Sequence, residues 1–362
     1  MPTEPWLEPG ECLVHIGVFK TGTTSIQEML AARRELLGPL GFVYPGDKVA
    51  HNTAALAHLG IRRGWKDGGR VPDTAAWDRL VAGAQSPTAR TLVSSEVFCQ
   101  ADDAHAASII DAFGRDRTKV LITLRSLESL IPSSWQEFVK GGLQVPFDTW
   151  LESIMRGPDS STGAEFWMRN DFGPLVERWT RVAAAGNVTV LVIDTGRPSF
   201  LYDEFERSTG LPAGFMAPDP TAVSNRSMSA AEAELVRALN ERVRPQVQFA
   251  QHRSLVRDGA VRHLVNGRRP GPDEPRLTLP AWAVRRAREL SADVPDRIRD
   301  TGARVIGDID ALVPTGDIRV DDDSRIPDSV PLDAALLLLE GMMLKATQDD
   351  TPRRPGRRQD PR

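Results

Sequence analysis

Four short runs of consecutive apolar residues punctuate the chain: Cys12–Gly17, Thr91–Ser95, Val120–Leu124 and Val188–Ile193, each bounded by polar or turn residues. A run without polar alternation suits a strand covered on both faces. Most of these runs are followed by apolar residues at helical spacing, so the pattern predicts strand–helix alternation around a parallel sheet. Thr23–Leu37 reads as a helix stopped near Gly38-Pro39, and Asp73–Ala84 as a second with Thr74 as its cap. Between them Tyr44–Pro72, rich in Gly, His and Arg, reads as loop or short helix, the kind of long connection that carries substrate contacts.

After Asp194 the pattern changes to helices separated by Pro and Gly. Ser229 with Glu232 forms a capping box ahead of Ala233–Val243, and Ala281–Leu290 and Pro295–Leu312 continue the helical character. Ala334–Leu344 is the one strongly apolar late stretch. It contains Glu340 and Gly341 and falls short of the ~20 residues that span a bilayer, so it reads as a buried helix. Thr351–Arg362 combines Pro, Gly and five arginines without apolar anchors and reads as a disordered tail. The predicted class is therefore α/β, a three-layer α/β/α domain with a mostly parallel central sheet over 1–215. A helical C-terminal extension packed on that core follows over 216–347, and a basic tail over 348–362.

Composition changes this picture little. With 41% apolar and 26% charged residues the chain is an ordinary globular one. Its 45 basic against 49 acidic residues, net −4, give no general attraction to nucleic acid, so any anion site must be local. Two cysteines, Cys12 and Cys99, fall in apolar segments, and no Cys/His cluster has metal-ligand spacing, which fits a reduced, cytoplasmic setting with no metal. The acidic, Pro-rich start lacks the basic and apolar regions of a signal peptide.

Candidate chemistry is concentrated where the first predicted strand meets the first helix, in Gly17-Val18-Phe19-Lys20-Thr21-Gly22-Thr23-Thr24. A glycine-bearing strand-to-helix turn lets successive N–H groups and a helix N-terminus converge on one anion. A nucleotide-hydrolase loop would place lysine directly after the second glycine. Here Thr23 stands there and the lysine precedes it, at Lys20. The string Lys20-Thr21-Gly22-Thr23-Thr24 resembles the 5′-phosphosulfate loop of the sulfotransferases that use 3′-phosphoadenylyl sulfate (PAPS).

That resemblance extends to Lys119–Arg125, a strand ending in arginine, with Ser133 eight residues further on. It implies that Arg125 and Ser133 hold the donor's 3′-phosphate, with Ser134 as a possible substitute for Ser133. Arg suits the task through its planar fork of donors. The segment Ser224–Ser229 is similar to one common in bacterial sulfotransferase-like chains. The late Arg-Lys-Gly string of eukaryotic cytosolic enzymes is absent, and the resemblance leaves Arg226 as its stand-in. Glu137–Gly142 also looks like the family's continuation of the helix, or simply a helix end with Lys140 complementing the dipole.

Sulfuryl transfer to a hydroxyl needs a base and positive charge at the leaving phosphate. Lys20 suits the second role. Glu96 closes the strand Thr91–Ser95, where parallel strands face a ligand crevice, and the resemblance to carbohydrate sulfotransferases implies a catalytic Glu at this strand end. His51 is the second candidate base. His105, beside Asp102 and Asp103, reads as capping; Trp65 and Trp77 read as core or as a stacking surface for a sugar. The resemblance implies a PAPS-dependent transferase acting on a carbohydrate, glycolipid or small hydroxylated metabolite. Two alternatives stay open: a kinase-type nucleotide enzyme with Asp194 holding Mg²⁺, and an inactive binding protein of the same fold.

Overall fold

The computed structural model describes residues 6–65, 69–160, 163–217, 226–314 and 329–350. They fall into two compact units, one comprising Met1–Ser134, Phe147–Ala222 and Thr278–Asp323, the other Trp135–Pro146, Val223–Leu277 and Ser324–Arg362. The units therefore interleave along the chain, and the segment from 278 to 323, expected within the helical extension, belongs with the first.

The first unit is built on a six-stranded parallel sheet of β1 (Cys12–Gly17), β2 (Phe42–Val43), β3 (Arg90–Ser94), β4 (Thr118–Leu124), β5 (Val188–Val192) and β6 (Arg304–Ile306). Their order is β2-β3-β1-β4-β5-β6. β1 is central, with Val14 in register with Val93 of β3 and Val120 of β4, and His15 in register with Ser94 and Leu121. The chain leaves β1 for one edge of the sheet and β4 for the other, so the carboxyl ends of β3, β1 and β4 form the crevice where such sheets bind ligands.

The continuous apolar runs are explained by burial on both faces. Leu13, Leu92, Leu121 and Leu191 pack with Ile26 and Leu30 of the helix Thr23–Ala32 and with Phe200, Leu201 and Phe205 of the helix Phe200–Thr209. The helix Phe172–Ala183 lies against β4 and β5 and against the helix Asp103–Phe113. The four predicted strands are observed to within about two residues at each end. β2 and β6 escape the pattern because two- and three-residue edge strands carry no periodicity.

Several local readings are corrected. The predicted helix Thr23–Leu37 is interrupted at Arg33 and resumes as Arg34–Leu37. Thr74 precedes the helix Ala75–Gly83 without capping it; the Asp73 carboxylate accepts from the Ala75 N–H instead, at 2.9 Å. The loop Tyr44–Pro72 contains the helix Asn52–His58. Pro295–Leu312 is not one helix: Val294–Asp300 is followed by β6 and a 3-10 turn, Ile309–Leu312.

The second unit contains the helix Ala230–Val243, opened by the reciprocal Ser229–Glu232 capping box that the sequence announces. Phe249–His252 continues into a π-helical stretch, Arg253–Val261, and then Arg262–Gly267. The last helix, Leu332–Asp350, packs on the π-helical stretch through Gly259 and Gly341. A Cβ on either glycine would meet the other's carbonyl oxygen within 2.9 Å. No helix among the described residues is long and apolar enough to cross a membrane. The tail Thr351–Arg362 lies outside the described residues.

Candidate functional site

The loop after β1 is held by its buried groups. Val18 N–H donates to the Thr123 carbonyl at 3.2 Å, and the Thr21 hydroxyl donates to the Val18 carbonyl at 2.6 Å while sharing a 2.8 Å bond with the Thr123 hydroxyl. Gly17 has a steric task, since a Cβ there would overlap the Thr23 hydroxyl. Lys20 takes a left-handed φ of 69° and Gly22 one of 81°. For a lysine that is a strained conformation, of the kind concentrated at functional loops.

The helix Thr23–Ala32 begins at Gly22 with no side-chain cap, and among the described residues no backbone acceptor serves the Thr23 or Thr24 N–H. Thr24 is exposed, whereas the Thr21 and Thr23 side chains are buried. The string expected to bind phosphate therefore divides its labour. Thr21 and Thr23 turn their hydroxyls inward to shape the turn, and the open first-turn N–H groups, Thr24 and Lys20 present the polar surface.

Glu96 opens a 3-10 turn, Glu96–Gln100, directly after β3. Its carboxylate is held from two directions: Asn52 Nδ2 donates to Oε1 at 2.8 Å, and Gln27 Nε2 donates to Oε2 at 3.1 Å. Each amide is itself anchored. The Ser95 hydroxyl donates to Asn52 Oδ1 at 2.7 Å, and Gln27 Nε2 also reaches the Ser94 hydroxyl at 3.2 Å. That hydroxyl lies 2.9 Å from His15 Nδ1, and burial pushes the His15 imidazole down to about 3, keeping it neutral. Gln27 belongs to the helix that starts at the loop, so one rigid element positions both the anion cradle and the carboxylate.

His51 does not serve as the second base. Its Nδ1 accepts from the Ser94 N–H at 3.0 Å, which leaves Nε2 to donate to the Pro45 carbonyl at 2.9 Å. Both ring nitrogens are consumed, the ring is buried, and desolvation lowers its pKa. His51 is a brace between the Tyr44–Pro45 segment and β3.

Arg125 follows β4 directly. Its Nε is buried without a hydrogen-bond partner, and among the described residues no carboxylate pairs with it. Burial lowers its pKa, the mark of a cation drawn partly out of water without a counter-ion. Such a group is stabilised by an anion, and phosphate matches its fork. On the following helix, Leu127–Lys140, the Ser133 hydroxyl is spent on the Ser129 carbonyl at 3.1 Å. The Ser134 hydroxyl is buried with no partner among the described residues. Of the two serines, Ser134 has the hydroxyl to give.

Arg226 lies in the second unit, where its guanidinium makes a two-pronged pair with Glu232 at 2.7 and 2.8 Å and its Nε donates to the Arg268 carbonyl. Glu232 is fully buried and also bonds Arg268 at 3.1 Å. Arg226 is thus a structural ion-pair residue, which corrects its expected part in nucleotide binding.

A cavity of about 400 Å³ opens beside the turn that carries Glu96. Cys99, Gln100 and Asp102 line one wall; Trp167, Arg169, Asp171 and Arg178 line others. The Arg169 guanidinium sits 4.7 Å from the ring centre of Phe19, tying this wall to the loop. Asp171 is half-buried and its pKa is raised chiefly by desolvation. Trp77 is not a stacking surface for a sugar: it is buried, stacked on His58 at 4.0 Å and set edge-on to Phe113. His105 and Asp102 make the expected cap, with the Asp102 carboxylate accepting from the His105 N–H at 2.8 Å.

Among the described residues no three His, Cys, Asp or Glu side chains converge as a metal ligand set. Asp194, the residue a kinase would use for Mg²⁺, is bound to Arg197 Nε at 2.6 Å and to the Gly196 N–H in a surface turn. Sequence reasoning missed Gln27, Asn52, Ser94, His15 and Arg169. The available signal was a polar residue, Gln27, on the buried face of a helix otherwise marked by Thr23, Ile26 and Leu30. No protein-family model matches this chain, and no curated protein matches it in sequence.

Proposed function

We propose that the chain transfers a sulfuryl group from PAPS to an acceptor hydroxyl, with Glu96 as the base. The observation that carries the reading is that the helix Thr23–Ala32 begins at an open anion loop and also grips the Glu96 carboxylate through Gln27. An anion cradle and a proton acceptor on one rigid element are what group transfer from an anionic donor to a neutral hydroxyl requires. Arg125 and Ser134 are the buried, unpartnered groups suited to a second phosphate, and Lys20 and the first-turn N–H groups suit the phosphosulfate end.

The donor supplies an electrophilic sulfur and a phosphate leaving group. This chain's residues do the rest. Glu96 takes the proton of the acceptor hydroxyl as the hydroxyl oxygen bonds sulfur and the sulfur–phosphate oxygen bond breaks, and Lys20 with the first-turn N–H groups receives the charge left on the departing phosphate. The cavity lined by Cys99 and Gln100, at the other end of the turn that Glu96 opens, is where we place the body of the acceptor, and a carbohydrate or small hydroxylated metabolite suits its volume and mixed lining.

Thermal-shift titration and transfer of radiolabelled sulfate test this reading. Adenosine 3′,5′-bisphosphate is expected to raise the melting temperature more than Mg-ATP does, and labelled sulfate to pass from PAPS to a hydroxylated acceptor. A preference for Mg-ATP would replace the reading with a kinase. Binding without transfer to any of a broad acceptor panel would leave a binding protein.

A further inference from the structure

Leu332, Leu336, Leu339 and Met343 of the last helix are exposed where its composition predicts burial, but a plain apolar row selects no particular ligand. The cavity of about 400 Å³ lined by Cys99 and Gln100 has charge as well as shape, and its charges are unequally committed. Arg178 Nε is bound to the Asp103 carboxylate at 3.2 Å and Arg169 to Glu165 at 2.8 Å, while the Asp102 carboxylate accepts from the His105 N–H at 2.8 Å. Asp171 is different. It joins the helix Ala164–Asn170 to Phe172–Ala183, yet its side chain does not cap the second, and among the described residues no donor reaches its carboxylate. Burial, and then the like charges of Asp293, Glu177 and Asp159, raise its pKa. The cation that opposes them, Arg297, is shared between Glu177 at 2.7 and 3.0 Å and Asp293 at 3.7 Å. A carboxylate left in this state on a cavity wall is stabilised by a cation that brings its own hydrogen-bond donors.

We propose, on the reading that this cavity receives the acceptor, that Asp171 selects an acceptor carrying an ammonium group as well as its hydroxyl. The rest of the wall suits such a ligand. Trp167 lines the same cavity with its indole N–H spent on the Ile154 carbonyl at 2.7 Å, and the Asp171 N–H donates to the Trp167 carbonyl at 3.0 Å. An aromatic ring and a carboxylate together attract an ammonium, and Leu175 and Pro158 supply apolar wall for its carbon frame. An anionic acceptor would need a guanidinium without a carboxylate, and both that line the cavity are paired. The ammonium is a handle and not the nucleophile. Its nitrogen lone pair carries a proton, so the hydroxyl oxygen bonds sulfur, the hydroxyl proton goes to Glu96, and the product keeps its amine.

Three probes of one frame test the assignment: trans-4-aminocyclohexanol, its N-acetyl derivative and trans-cyclohexane-1,4-diol. Binding to the full chain is read by ligand-observed NMR, without donor or turnover. The aminocyclohexanol is expected to bind about 10-fold or more tightly than the other two, the worth of a hydrogen bond to a charged group, and less tightly as salt is raised. Asp171→Asn is expected to erase that preference. It should also keep or raise the melting temperature of the free protein, because the folded state is relieved of an unfavourable charge. In transfer of radiolabelled sulfate the loss should fall on KM for the amine rather than on kcat, with the sulfate on oxygen. Equal binding of the three probes, binding of none, or a preference that survives Asp171→Asn would overturn the proposal. A lower melting temperature in the variant would mark a structural carboxylate, and a kcat lost on every acceptor would mark a base; either outcome, or sulfate on nitrogen, also overturns it. The transferase reading fails separately. If the amine binds through Asp171 but no sulfate leaves PAPS for any acceptor, the cation site stands without the reaction; if the diol is sulfated as well as the amine, the reaction stands and the selection by Asp171 does not.

Discussion

A carboxylate that must accept a proton needs a fixed direction and access to the reacting hydroxyl. Glu96 has its direction fixed by Asn52 and Gln27, at 2.8 and 3.1 Å. Glu96→Gln is expected to reduce sulfuryl transfer by about 10²–10⁴-fold, with the dissociation constant for adenosine 3′,5′-bisphosphate by calorimetry essentially unchanged. Full turnover in that variant would reassign the base. The two serines make a sharper test of the phosphate end. Arg125→Ala and Ser134→Ala are each expected to weaken the bisphosphate, the arginine by about 1.5–3 kcal/mol as a charged donor, whereas Ser133→Ala is expected to leave binding as it is. Calorimetric titration of the three variants decides between the neighbouring hydroxyls, and an effect at Ser133 alone would reverse the assignment.

Elements place these residues, and their junctions are where a single atom matters. At Gly22 the left-handed φ of 81° and the nearby Leu201 side chain leave no room for a Cβ. Gly22→Ala is therefore expected to cost about 1–2 kcal/mol of stability from the backbone conformation and to lose bisphosphate binding; a chemical melt and a titration read the two effects separately. In the helical unit the decisive element is the N-terminus of Ala230–Val243, where the capping glutamate Glu232 also holds Arg226 and Arg268. Removing it takes the carboxylate partner from Arg226, while Arg268 keeps Glu274 and Asp333, so Glu232→Ala is expected to destabilise that unit by about 3–5 kcal/mol. A melt unchanged by the substitution would refute the structural assignment of Arg226.

Across the whole chain, stability is tied to pH through histidines that are neutral when folded. His15 is driven down to about 3 by burial, His51 is lowered by the same cause, and His252 is lowered to about 4. Each folded value lies below the ordinary value near 6.5, so the unfolded chain binds the proton and the folded chain does not. The stability they protect is complete above about pH 6.5 and is lost as the pH falls towards the folded values, at up to about 1.4 kcal/mol per pH unit for a fully buried histidine such as His15. Urea titrations at pH 7.5 and 5.5 measure the loss. It should shrink in His15→Gln if that variant folds, and equal stability at the two pH values would contradict the account.

Local pattern determined a good deal. Doubly buried strands must be apolar throughout, so β1, β3, β4 and β5 were legible as runs, and the Ser229–Glu232 box was legible because its two hydrogen bonds span three residues. The glycines and displaced lysine of the loop were legible for the same reason: a tight turn from strand to helix leaves its requirements in adjacent positions. Tertiary structure alone decided the rest. The Glu96 clamp joins Gln27, Asn52 and Glu96 from separate parts of the chain; the commitments of His51 and Arg226 depend on partners that no spacing rule connects. The serine left without a partner differs from its neighbour only in which way it points. The apolar last helix was readable as a helix, but whether its leucines are covered depends on what packs against it, and that is a property of the folded surface.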